Sequence, residues 1–134
     1  MREFTHAENQ IAAIIVAVCI DIHRRLGPGL FESVYERILC HELRKRGLKV
    51  GRQVEVPVVW DDMQIDDAFR ADLIVEDLVL IELKSVDALP AIAFKQVTTY
   101  LTVTGLRLGL LLNFGEATMK KGIRRVANGL PEEP

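Results

Sequence analysis

Apolar and polar positions switch between a helical and a strand-like period along the chain, and each switch marks an element. Glu8 to Leu26 is apolar almost all round in its middle, from Ile11 to Ile20, which is the pattern of a helix buried on more than one side. Either the domain's own core covers it or a second subunit does. Gly27-Pro-Gly29 ends it, because Pro28 cannot continue the hydrogen-bond ladder and the glycines allow a sharp turn. Leu30 to Arg46 predicts a second helix. Phe31, Val34, Tyr35, Ile38, Leu39 and Leu43 form its stripe, Arg44-Lys-Arg46 suits the negative end of its dipole, and Gly47 suits its C-terminal cap.

The period then changes to two. Val54 to Trp60 alternates, with Pro57 marking an edge or an irregularity. Asp61-Asp-Met-Gln64 predicts a turn, and a strand starts near Ile65. Leu73-Ile-Val75 and Leu78-Val-Leu-Ile81 are short, branched apolar runs around Glu76-Asp77, which predicts a buried hairpin. Ser85 to Pro90 reads as a loop, Ala91 to Val103 as a helix begun by Pro90, and Leu106 to Phe114 as a buried strand. Lys120-Lys-Gly-Ile-Arg-Arg125 is a basic segment that allows one more strand. Asn128 onward is expected to fray. The order α-α-β-β-β-α-β, with a possible final strand, predicts one α/β domain over residues 1–134. Its mixed central sheet is flanked by helices.

The chemistry gathers at the predicted hairpin. Asp72 opens its first strand, and Glu82 and Lys84 interrupt the end of the second. Alternation puts Glu82 and Lys84 on one face. Charges in a buried strand need compensation. Two carboxylates and one ammonium there suit a divalent cation and the phosphate it binds. The plainer alternative is a structural Glu–Lys pair with Asp72 exposed. The two readings differ in register. A two-residue turn at Glu76-Asp77 pairs Asp72 with Ile81 and sends its carboxylate to the wrong face. A three-residue connection or a bulge pairs Val75 with Val79, Leu73 with Ile81 and Asp72 roughly with Glu82. A shared cation requires the second arrangement, although local preference favours the tight turn.

Two more features bear on that site. Glu32 borders the stripe of the second helix, either as a first-turn acid favoured by the dipole or as an acid aimed into a cleft. Gln96 and Tyr100 share a face of the third helix, either as a polar face with a packed ring or as part of a site.

Composition narrows the choices. The chain has 134 residues, 49% hydrophobic and 27% charged, with a net charge of −2. That suits one soluble domain and excludes a polycation, so any nucleic-acid surface must be local. Its candidates are Arg44, Lys45, Arg46, Lys49, Arg52, Lys120, Lys121, Arg124 and Arg125, for which a solvated basic face is the alternative. Cys19 and Cys40 sit in apolar helical patterns and read as buried thiols of a reducing, cytoplasmic compartment. The Ile11–Ile20 run is too short to span a bilayer and lacks a cleavage site of signal-peptide type.

These residues together resemble the PD-(D/E)xK nuclease superfamily, and more narrowly the GxxExxY family. Gly29-Leu-Phe-Glu32-Ser-Val-Tyr35 is similar to the motif that names that family. Asp72 with Glu82-Leu-Lys84 resembles the superfamily's catalytic core, with Ala71 where a proline is usual. Gln96-Val-Thr-Thr-Tyr100 resembles the Q-xxx-Y helix of RecB-type nucleases, and Leu108 to Gly115 the family's closing strand. The resemblance runs from about Ile11 to Leu130. It implies a restriction-endonuclease-like core and metal-dependent hydrolysis of phosphodiesters, with DNA the expected partner. Asp72, Glu82, Glu32 and the Leu83 carbonyl would hold Mg²⁺ or Mn²⁺. Lys84 would orient water and stabilise charge, Gln96 would hold substrate or water, and Tyr100 would contact phosphate or brace the site.

A catalytically silent assembly module is the rival reading. The slight negative charge favours it, as does a subunit interface through Ile14, Ile15 and Val18 on the apolar first helix. A small-phosphate hydrolase ranks last, because no Gly-rich phosphate loop is present.

Overall fold

The structure is a computed structural model that describes residues 5–133. Its elements are α1 (Ala7–Leu26), α2 (Glu32–Lys45), β1 (Val50–Trp60), β2 (Met63–Val75), β3 (Val79–Lys84), α3 (Ala91–Thr104), β4 (Leu108–Asn113), α4 (Met119–Gly122) and β5 (Ile123–Ala127). The strands form one sheet in the order β1-β2-β3-β4-β5. All neighbours are antiparallel except β3 and β4, which α3 connects as a parallel pair. The basic segment from Lys120 therefore divides into the short α4 and the edge strand β5.

Alternation assigns the two cores. Leu73, Val75, Val79, Ile81, Leu83, Leu108, Leu110 and Leu112 face α1 and α2 in the larger one. Leu80 and Leu111 face Ala93, Val97 and Leu101 of α3 in the smaller one. β3 is thus covered on both sides, which is why Val79–Ile81 is continuously apolar. Gly109 interrupts the β4 leucines because α3 lies close. A Cβ there would stand 2.7 Å from Val97 Cγ1.

Ile15 and Val18 are 0% and 2% exposed inside the chain's own core, and Ile14 packs against it. Of the two coverings that the apolar pattern allows, the chain's own core is the one that meets Ile15 and Val18. Both cysteines are buried and free. Leu130, in the segment expected to fray, is buried in the larger core, and the Glu133 carboxylate accepts hydrogen bonds from Thr5, His6 and Asn9. No described helix is long and apolar enough to cross a membrane.

β1 and β2 are longer than expected. Their ladder runs to Trp60↔Met63, so the connection is the two-residue turn Asp61-Asp62 and not the four-residue one. Pro57 sits where the register shifts between Val56 and Val58, on an edge strand that tolerates the missing donor. Beyond Pro57 the hairpin extends as an arm with Val59, Trp60, Met63 and Ile65 exposed.

Two braces set the end of the sheet where β3 and β4 finish. The Tyr35 hydroxyl donates to the Gly27 carbonyl at 2.5 Å and accepts from the Leu30 N–H at 3.2 Å, fixing the turn ahead of Glu32. The buried Asn113 takes both polar groups of Val86: its Oδ1 accepts from the Val86 N–H and its Nδ2 donates to the Val86 carbonyl. Gly115 lets this loop approach, since a Cβ there would lie 2.2 Å from the Val86 carbonyl oxygen. Ser85 Oγ joins the braces by donating to the Leu30 carbonyl at 2.7 Å.

Gly115→Ala is expected to destabilise the fold by about 1–3 kcal/mol, the usual cost of overpacking. Chemical denaturation with an unchanged m-value checks it, and a midpoint equal to wild type would refute the close approach.

Candidate functional site

The β2–β3 register decides what the strand end can do. Val75 pairs with Val79, Ile74 with Leu80 and Leu73 with Ile81, joined by the three residues Glu76-Asp77-Leu78. This is the arrangement that a shared cation requires. The ladder stops at Leu73, and one step further Asp72 meets Glu82 through side chains. The Asp72 N–H donates to Glu82 Oε1 at 3.2 Å, and the Leu83 N–H donates to Asp72 Oδ2 at 2.8 Å. Each carboxylate thus accepts a backbone donor of the opposite strand.

Other elements close around this pair. Glu32 enters from the first turn of α2, and its carboxyl is raised by burial, lowered by Lys84 and raised again by Asp72 and Glu36. Burial and then the Asp72 charge push the Glu82 carboxyl up to about 8, against the Asp72 N–H and the Lys84 charge, which lower it. Tyr100 of α3 stacks on Phe69 with ring centroids 3.9 Å apart. Its hydroxyl is raised by burial and by the Glu82 and Asp72 charges. Lys84 is half-buried and, among the described residues, has no hydrogen-bonding or ion-pair partner at its ammonium. The structure therefore brings together Asp72, Glu82, Lys84, Glu32 and Tyr100. Gln96 is exposed on α3, and no hydrogen bond among the described residues joins it to the cluster.

Among the described residues, no three Asp, Glu, His or Cys side chains converge closely enough to hold a metal ion alone. The facing donors are the two carboxylates of Asp72 and Glu82, which are hard oxygen ligands. Glu82 Oε2 accepts no hydrogen bond among the described residues. Burial and repulsion that drive Glu82 toward its protonated form mark a place short of positive charge. A divalent cation fits such a donor set when water and phosphate oxygens supply the remaining positions.

Sequence patterns overlooked two neighbours of the site, Glu36 and Gln53, and gave Arg52 to a phosphate-facing surface instead. Glu36, 4% exposed, accepts from Arg52 Nε at 2.9 Å and from Gln53 Nε2 at 2.9 and 3.0 Å. Gln53 Nε2 also donates to Asp72 Oδ1 at 3.2 Å. A signal was present: Arg52 stands at the same parity as Val50, Val54 and Val56, and Glu36 follows Glu32 by one helical turn.

The basic candidates do not form one surface. Arg44 donates to the Val50 carbonyl, Lys45 and Arg46 pair with Glu42, Lys49 with Asp77 and Arg52 with Glu36. Arg44 to Arg46 also lie at the far end of α2, about 20 Å from Glu32 at the usual helical rise. Lys120, Lys121, Arg124 and Arg125 are exposed without an acidic partner among the described residues. Lys120 and Lys121 follow β4, whose last residue, Asn113, pairs with Lys84.

A family model described as the PD-(D/E)XK nuclease superfamily matches residues 9–126. No curated protein and no solved structure matches the chain.

The raised Glu82 carboxyl makes the metal-free protein sensitive to alkali. The native state keeps a proton that the unfolded chain releases near 4.5, so this contribution is complete below that pH and is lost as pH rises through about 8. Glu82→Gln keeps the acceptor for the Asp72 N–H without the titration. In EDTA, its melting temperature relative to wild type is expected to rise from pH 5 and to level off above about pH 8. A difference that stays flat would contradict the buried, repelled carboxyl.

Proposed function

The chain belongs to the PD-(D/E)XK nuclease superfamily, and from that premise we propose that it hydrolyses phosphodiester bonds in DNA with Mg²⁺ or Mn²⁺. The carrying observation is the register that sets Asp72 against Glu82, with Lys84 two residues on along the same strand. The Asp72 and Glu82 carboxylates would hold the cation, the Leu83 carbonyl would add a further donor, and Glu32 would contribute charge from α2. When bound, the cation supplies a Lewis acid for the phosphate and lowers the pKa of bound water.

The protein's own groups do the rest. Lys84, with no partner at its ammonium among the described residues, orients the attacking water and balances charge that builds on the phosphate oxygens. Tyr100, held flat against Phe69, contacts a phosphate or braces the carboxylates. Gln96 is exposed one turn before it and meets substrate from solvent. Lys120 and Lys121 lead the backbone of the nucleic acid toward the strand end. The narrower placement in the GxxExxY family rests on Gly29, Glu32 and Tyr35. Its support is structural, because the Tyr35 hydroxyl secures the turn from which Glu32 enters the site.

Lys84→Ala is expected to lower cleavage of a mixed DNA panel at least 100-fold, the usual scale for losing one charge-stabilising donor. Its Mn²⁺ affinity by calorimetry should stay within a few-fold of wild type. Asp72→Ala and Glu82→Ala should lose both. Wild-type cleavage rates in Lys84→Ala would sink this assignment.

A further inference from the structure

β1 contains one residue whose backbone and side chain are both unusual. Gln53 has φ of +52°, the left-handed region that a side chain rarely adopts. Pairing between β1 and β2 runs on either side of it, Arg52↔Leu73 and Val54↔Ala71, yet omits Gln53 and Asp72. The kink turns the Gln53 amide toward the strand end. Its Nε2 has two protons and meets two carboxylates, Glu36 at 2.9 and 3.0 Å and Asp72 at 3.2 Å. Glu36 is itself fixed by Arg52 Nε at 2.9 Å and is buried in α2. Asp72 then has one fixed donor on each oxygen, Gln53 on Oδ1 and the Leu83 N–H on Oδ2.

We propose that Gln53 is a positioning residue whose amide bridges the anchored Glu36 to Asp72 and fixes the Asp72 carboxylate for the cation. This rests on the metal-holding role assigned to Asp72 above. A freely rotating aspartate must be ordered when the cation arrives, whereas a bridged one is ordered beforehand. Outer partners of ligating carboxylates act in this way, and losing one commonly weakens metal affinity 10- to 100-fold. The strained backbone is consistent with this role, since strain at such a position persists only where its surroundings enforce it. The bridge also keeps the amide between two like charges that would otherwise repel.

Gln53→Gly separates this role from a merely structural one, because glycine relieves the positive φ while removing the amide. Mn²⁺ dissociation constants by electron paramagnetic resonance, with melting temperatures in EDTA, give the readout for wild type, Gln53→Gly and Asp72→Ala. The expected result is at least 10-fold weaker Mn²⁺ binding in Gln53→Gly, with a melting temperature no lower than wild type. Binding within twofold of wild type would overturn the proposal. Wild type binding Mn²⁺ no better than Asp72→Ala would instead overturn the metal-holding reading. The bridge is then read in EDTA from the Gln53 side-chain amide resonances. A shift on Asp72→Asn upholds it, and unmoved resonances overturn it.

Discussion

The structure depends on a three-residue connection where two residues would be the commoner choice. Side chains in a sheet alternate, so one residue more or fewer at the Glu76-Asp77-Leu78 turn moves Asp72 to the opposite face. The longer link is conformationally costly. Glu76 and Asp77 both have φ of +53°, at roughly 1–2 kcal/mol for each non-glycine residue. Lys49, the residue before β1, holds them there. The Lys49 carbonyl accepts from the Glu76 N–H, the Lys49 N–H donates to Glu76 Oε2, and the Lys49 ammonium pairs with Asp77. Local preference yields to tertiary contact, and the gain is a pair of carboxylates on one side of the sheet.

Where the sequence was legible, one strong periodicity or one chemical requirement was responsible. Branched apolar runs located β2, β3 and β4, and the demand for a shared cation selected the register that is observed. Helical spacing left Glu32 and Tyr100 open between scaffold and site, and the family resemblance implied the site role. Gln53 was hidden for a physical reason. Its role depends on a positive φ in a strand and on a contact with Glu36 spanning 17 residues, and neither leaves a periodic trace. The α1 face was left open because apolar pattern measures burial without saying by what. Ile15 and Val18 are covered by the chain itself. The turn after Trp60 was drawn too long, since Met63 and Gln64 are polar-flanked yet still pair with β1.

Motif residues divide between chemistry and scaffold. Tyr35 acts at one remove. Its ring stacks on Phe114 at 4.4 Å and its hydroxyl secures the turn before Glu32. Asn113 and Gly115 likewise secure the loop after Lys84. Ser85 joins the two braces through the Leu30 carbonyl. The acid of α2 and the lysine of β3 arrive from elements distant in sequence, and these contacts hold both at one strand end.

The arm beyond Pro57 carries the chain's one tryptophan, Trp60, 70% exposed at its tip. Indole emission from this protein therefore reports on solvent at the end of a two-stranded projection and says little about the interior. Unfolding followed by tryptophan fluorescence would register fraying of the arm, with the collapse of the leucine layers left to circular dichroism. The same remoteness makes Trp60 a built-in optical reporter for anything that settles on the projection.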